Sequence, residues 1–307
     1  MNIVVIGSFM MDLVVRAEQA PKAGETVMGH AFARFPGGKG ANQAVAAARL
    51  GGRVTMAGML GRDEFGREML AVMQREGIST DHILFSESDP TGIGSIVLEA
   101  NGENRIVVVP GANLRYSGQE LHGIEDLIRS ASILVMQLEM DPGMTEEAVA
   151  LASRYRVPVL LNPAPARPLS GSLLRQVTYL TPNEAEAELL TGIPATSIDG
   201  AQAAGRALLH AGVRHVIITM ADKGALIVDD GGSVVIEGYP VTPVDSVAAG
   251  DSFNGALAVR LARGDSLRDA VRFANAVGAL TVTRPGAIPS LPTLNDIEQF
   301  RLNRANA

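Results

Sequence analysis

The sequence predicts an α/β protein with a central, mostly parallel sheet and helices on both of its faces. Two observations lead there. Short, nearly continuous runs of Val, Ile and Leu recur along the chain, as strands buried on both faces require. Between them lie stretches whose apolar residues follow helical spacing, so strand and helix alternate as in repeated βαβ units. A length of 307 residues suits one large domain with a small appendage.

The predicted strands are Ile3–Ile6, Val54–Gly58, Ile133–Gln137, Val159–Asn162, Tyr179–Pro182, His215–Thr219 and Gly224–Val228. Helical spacing covers Gly40–Leu50, Gly66–Glu76, Thr145–Arg154, Glu184–Thr191 and Asp199–Ala211. Residues 13–35 and 91–109 break the alternation, because they carry strand patterns with no helix between them. The second reads as a hairpin turning at Asn101-Gly102. These segments are expected to pair as a small discontinuous β lid, with residues 1–12, 36–90 and 110–307 forming the main domain. An alternative is a pair of edge extensions of the main sheet. A small sheet with two apolar faces needs a cover, which points to a homodimer made through the lid.

Composition excludes several classes. The chain has no Cys, which removes thiol nucleophiles, Cys-ligated zinc and disulfides and suits a reducing compartment. A net charge of −7 argues against nucleic acid or an anionic membrane as the main partner. The opening MNIVVIGS reads as a buried strand, not a signal peptide, and no apolar run reaches transmembrane length. The five His show no metal spacing. A cytoplasmic protein is expected.

The most informative stretch is VDSVAAGDSFNGAL, residues 244–257. Small residues at Ala248, Ala249 and Gly250 let backbone N–H groups converge, and the helix that follows offers its own unpaired N–H groups. That combination holds anions such as phosphate. Asp251 stands beside it, either as a helix cap or as the base that such a site would need. PGGKGANQAVAAARLGG, residues 36–52, is a second glycine turn opening a helix, with Gly38, Lys39, Gly40 and Asn42 at its mouth. Asp12 and Glu139 each follow an apolar strand, at the edge where α/β sheets bind ligands. TPNE puts Asn183 at a helix start, and TMADKGA, residues 219–225, is a strand–turn–strand element able to cross a nucleotide. No GxxxxGK[ST] occurs, and no GxGxxG follows the first strand.

Together these segments resemble the ribokinase family of PfkB-type carbohydrate kinases over nearly the whole chain. GGKGANQAVAAARLG and DSVAAGDSFNGAL match its two signatures, and NPAPA, TPNE and VTRPGAIPSLP match segments between and after them. The resemblance implies a ribokinase-like three-layer sandwich with a β lid, and ATP-dependent phosphorylation of the 5-hydroxyl of a pentofuranose, D-ribose or 2-deoxy-D-ribose. It makes Asp251 the general base, with Ala248, Ala249 and Gly250 the anion hole. Met10, Asp12, Gly38, Lys39, Gly40, Asn42, Glu139 and Asp251 itself fall at its sugar positions, and Asn183, Thr219, Asp222, Gly224, Gly250 and Asn275 near its nucleotide. It also implies Mg2+ with the ATP. A monovalent cation, typically K+, would sit near Asp245, Val247, Thr281, Arg284, Gly286 and Ser290, held mostly by backbone carbonyls. Alternatives are a kinase for another small sugar or a nucleoside, or a non-catalytic sugar-binding relative.

One position departs from the pattern. Ribokinases usually carry Asn two residues before the sugar-binding Asp, where this chain has Met10. Asn offers a sugar hydroxyl both donor and acceptor, whereas Met offers an apolar surface. The arrangement resembles that of deoxyribokinases; the other reading is a neutral substitution in a ribokinase.

Overall fold

The computed structural model describes residues 1–305. The first half of the chain runs β1 (Ile3–Ile6), β2 (Met10–Ala17), β3 (Gly29–Gly37), α1 (Lys39–Arg49), β4 (Val54–Gly61), α2 (Glu64–Arg75), β5 (Ser79–Ser86), β6 (Gly92–Glu99) and β7 (Asn104–Val109). It continues with α3 (Gly118–His122), α4 (Glu125–Arg129), β8 (Ile133–Met136), α5 (Pro142–Arg154), β9 (Val159–Leu161), α6 (Gly171–Leu174) and β10 (Tyr179–Leu180). The remainder is α7 (Glu184–Thr191), α8 (Ile198–His210), β11 (His215–Thr219), β12 (Ala225–Asp229), β13 (Gly232–Ile236), α9 (Ala249–Ala262), α10 (Leu267–Thr281) and α11 (Leu294–Ala305).

Nine strands form the large sheet in the order β13-β12-β11-β10-β9-β8-β1-β4-β5. Every pairing from β11 to β5 is parallel; β12 and β13 close one edge antiparallel. The period-2 alternation of strand side chains separates two cores. Ile3 and Val5 of β1 join a cluster with Ala41 and Ala44 of α1, Met69 of α2, Leu257 of α9 and Val277 of α10. Val4 and Ile6 point the other way, toward Leu121 of α3, Val149 of α5, Ala187 of α7 and Leu208 of α8. The result is three layers, helix–sheet–helix, as the alternation of apolar runs predicts. Within the described residues, no helix is long and apolar enough to cross a membrane.

The irregular segments form a separate four-stranded sheet, β3-β2-β6-β7. The β6–β7 hairpin turns where Asn101-Gly102 predicts it, with Gly102 at a φ of 87°. The long-range pairing of β2 with β6 is parallel, while β2–β3 and β6–β7 are antiparallel. β2 begins at Met10 and β3 runs through Gly37, so Met10 and Asp12 belong to the small sheet. β5 and β13 were not among the predicted strands. β5 reads STDHILFS, with polar residues through its first half, and β13 is five residues directly after a Gly-Gly turn.

Candidate active site

Most of the predicted site residues converge where the carboxyl ends of the parallel strands meet the small sheet. Gly38 precedes α1 with a φ of 91°, a conformation that favours glycine, and a Cβ there would stand 2.7 Å from the Met10 nitrogen. This close approach lays the start of α1 against the β1–β2 connection. Ser8, in that connection, donates to a Glu139 oxygen and accepts the Gly40 N–H at 3.3 Å, while the Lys39 N–H reaches the same Glu139 oxygen at 3.0 Å. Glu139 thus ties the β8 end to the α1 start.

The α9 entrance has the geometry expected of VAAGD. Ala248 takes a left-handed conformation, φ 61° and ψ 9°, and no side chain caps the helix. For an alanine this costs roughly 1–2 kcal/mol, the kind of local strain that marks working sites. The first regular turn bond is Ser252 N–H to Ala248 O at 2.8 Å; Ala249 N–H makes a long 3.3 Å bond to Ser246 O. The remaining N–H groups of this turn point out of the helix start. A Cβ on Gly250 would meet nothing within 4 Å, so protein packing does not demand glycine there.

Asp251 is buried, and side-chain amides hold both of its oxygens: Asn42 Nδ2 at 2.8 Å and Gln43 Nε2 at 3.1 Å. Behind it runs a relay of buried polar groups. Gln137 donates to Gln43 Oε1 at 2.7 Å, and Gln43 also donates to Asn162 Oδ1 at 3.2 Å. Asn162 donates to Thr181 O, Thr181 to Asn254 Oδ1 at 2.6 Å, and Asn254 to Gly250 O at 2.8 Å. The relay therefore begins at the carboxylate and ends at the backbone of the N–H turn. Asn42 Oδ1 is buried without a protein partner.

Asp12 lies in β2, its carboxylate between Gly37 and Gly94 of the flanking strands. Cβ atoms at those positions would stand 2.9 and 2.5 Å from its two oxygens. Burial pushes its pKa up to about 6; Glu139 adds to the rise, Lys39 opposes it and Asp251 adds further. Burial works against the Lys39 ammonium, but Asp251, Glu139, Glu186 and Asp12 together outweigh it and hold its pKa above the ordinary value. Glu186 is raised, first by burial and then by Asp251, against the Asn183 N–H and Lys39. One ammonium stands among four carboxylates. Met10 is buried and shares a face of β2 with Asp12.

The nucleotide candidates lie along the same edge. Asn183, beyond β10, and Thr219, the last residue of β11, form a parallel bridge. Asn183 caps α7 through a capping box with Glu186, bonds of 2.8 Å in each direction, which gives it a local structural role. Asp222 lies in a short 3₁₀ turn, and Gly224, with a φ of 97°, follows it. The Asn275 amide donates to Ile236 O at 2.9 Å and Glu237 O at 3.1 Å, fixing the exit of β13. The cation candidates form two stitched loops: Asp245 accepts from Val247 N–H at 3.0 Å and Gly286 N–H at 2.9 Å. Thr281 and Ser290 turn their hydroxyls inward, to Ser252 and Val277 O and to Ala287 O respectively, and Arg284 pairs with Asp296 at 3.2 Å.

Sequence reasoning missed Gln43, Gln137, Asn162, Thr181 and Asn254. Gln137, Asn162 and Thr181 each follow a buried parallel strand directly. The rule that singled out Asp12 and Glu139 would find them if extended from charged to neutral polar residues.

The pfkB family carbohydrate kinase description matches residues 1–294. The chain belongs to that family. This kinase is 42% identical to Bacillus subtilis ribokinase over 299 residues, covering 97% of this chain and 99% of that protein. It is 35% identical to Salmonella typhi deoxyribokinase over 301 residues, with 98% of each covered. Among solved structures, Arabidopsis thaliana ribokinase complexed with ribose and ATP superposes with a TM-score of 0.93 at 30% identity, covering 97% of this chain and 98% of that one. It is an ATP-dependent sugar kinase of the ribokinase and deoxyribokinase type.

Proposed function

We propose that this kinase transfers the γ-phosphoryl of ATP to the 5-hydroxyl of D-ribose or 2-deoxy-D-ribose, with Asp251 taking the hydroxyl proton. The observation that carries the reading is the placement of Asp251: a buried carboxylate locked by two amides at the mouth of an uncapped helix. A base fixed beside converging N–H groups supplies alignment and charge stabilisation, which are the main demands of phosphoryl transfer. Asp12 and Asn42 Oδ1 supply acceptors for sugar hydroxyls, and Lys39 balances the carboxylates around them. Ala248, Ala249 and Gly250 receive the transferred group, while Asn183, Thr219, Asp222, Gly224 and Asn275 border the nucleotide.

Magnesium is proposed to arrive with the nucleotide. When bound, Mg2+ neutralises phosphate charge. A monovalent cation activator suits the loops stitched by Asp245, whose Thr281, Arg284 and Ser290 side chains are engaged elsewhere and leave backbone carbonyls as ligands. A homodimer through the small sheet would cover exposed apolar residues, Phe32 and Val107 on one face or Ile106 and Val108 on the other, each more than half exposed. Sedimentation as a monomer at micromolar concentration would remove it. The same reading puts the kinase in the cytoplasm, where ATP and magnesium are at hand.

The deciding experiment measures kcat/KM for ribose and 2-deoxyribose side by side with Mg-ATP, with and without K+. Turnover of either pentose is the expected result; turnover of neither, with another sugar or a nucleoside accepted, replaces the substrate assignment.

A further inference from the structure

We propose that Asn113 is a positioning residue for pentose discrimination, acting through the Phe9 backbone and the Met10 side chain. This rests on the pentose-kinase reading and deepens it. Asn113 lies in the turn Gly111–Arg115, just after β7 leaves the small sheet, and is fully buried. Its Oδ1 accepts the Phe9 N–H at 2.9 Å, and its Nδ2 donates to Phe9 O at 2.8 Å and Pro110 O at 2.8 Å. The same nitrogen stands 3.8 Å from Met10 Sδ. Phe9 falls between the end of β1 and the start of β2, outside the registered pairs of either sheet. The Asn113 amide therefore acts as a strand partner made from a side chain, fixing the peptide from which Met10 projects beside Asp12.

The same amide touches three of the four places where the chain crosses between the two sheets. Phe9 enters β2, Pro110 leaves β7, and Gly92 opens β6. A Cβ on Gly92 would lie 2.5 Å from Asn113 Nδ2 and 2.7 Å from Met10 Sδ. With both hydrogens given to carbonyls, Asn113 has no donor left for position 10, and Met10 meets it as an apolar surface. What a side chain at position 10 can do to a sugar hydroxyl thus depends on Asn113 holding it there.

The test uses Asn113→Asp, which keeps the size and the acceptor for Phe9 but removes both donors. Steady-state constants are measured for ribose, 2-deoxyribose and ATP, alone and combined with Met10→Asn, alongside the melting temperature. The expected result is a rise of about tenfold in KM for both pentoses, with kcat and the ATP KM within about threefold. The effect of Met10→Asn on the ribose to deoxyribose ratio should shrink in the Asn113→Asp background, a coupling that general loosening of the fold would not produce. Unchanged pentose KM with only a lowered melting temperature overturns the proposal. Gly92→Ala is the second variant: it keeps the Asn113 residue but crowds its amide at 2.5 Å, the Met10 sulfur at 2.7 Å and the Pro110 carbonyl at 2.7 Å. If Asn113→Asp is not recovered folded, Gly92→Ala decides, and an unchanged pentose KM in it overturns the proposal. Wild type measured in parallel separates the two readings, since absent pentose turnover there defeats the substrate assignment and not the role of Asn113.

Discussion

The two ends of the site are built differently. At the proposed transfer end, Asp251 is held by Asn42 and Gln43, which are backed by a buried relay reaching Gly250 O, all on α1, α9 and the ends of large-sheet strands. At the sugar end, Met10 and Asp12 ride on a four-stranded sheet whose outer strand β7 is exposed along its length. There Asp12 has glycines on both sides and a pKa pushed up to about 6 by burial. Redundant hydrogen bonds fix the proposed base, while the proposed recognition group is left electrostatically costly. Recognition is therefore the end that single changes and pH should move most easily.

The largest effect should come from breaking the rigid end. Asp251→Asn should lower kcat by roughly 10³-fold while the pentose dissociation constant, read by calorimetry, changes by less than about threefold. A variant retaining a tenth of wild-type turnover would show that Asp251 is not the base. At the other end, pentose KM should rise about tenfold per unit as pH falls below 6, because protonation removes the charge of Asp12 and turns one acceptor oxygen into a donor. A KM flat down to pH 5 removes Asp12 from recognition. Met10→Asn should shift the ribose to deoxyribose ratio of kcat/KM toward ribose by about tenfold, and no shift means that Met10 does not set the preference.

The smallest effect is on stability and has the opposite sign to function. A raised Asp12 pKa means that the folded state binds more protons than the unfolded chain between the ordinary carboxylate value and about 6, so stability falls as pH rises through that window. Asp12→Asn should consequently stabilise the protein at pH 7.5 by on the order of 1–2 kcal/mol, partial solvation keeping it below the full linkage value, with no gain at pH 4. Thermal denaturation at the two pH values checks it; equal shifts at both would mean that the carboxylate carries no such cost.

Much of this arrangement was legible in the sequence, and the gaps have physical causes. The central strands were readable because burial on both faces leaves almost only Val, Ile and Leu, whereas β5, at an edge, mixes Asp and His with its apolar residues. Asp251 and Lys39 stood out because a charge next to a small-residue turn needs a reason, and Asp12 because a carboxylate just past an apolar strand does too. Gln43, Gln137, Asn162 and Asn113 did not, since a neutral amide carries no charge signal and its partners lie about 100 residues away in the chain for three of these bonds. Asn183 was readable as a helix start, and its capping box with Glu186 is what the TPNEAE pattern encodes.

The parallel pairing of β2 with β6 bears on how the chain assembles. Met10 pairs with Gly92 and Ala17 with Glu99, so β2, the strand proposed to recognise sugar, gains its second neighbour only after β4, α2 and β5 have been made. A growing chain that has emerged only through β5 can pair β2 with β3 alone, with Asp12 flanked by Gly37 but not by Gly94. Closing so long a loop is entropically slow compared with forming a local hairpin. In pulse-labelled hydrogen exchange during refolding, amides of β6 should gain protection after those of β1 and β4, which makes recognition a late product of folding.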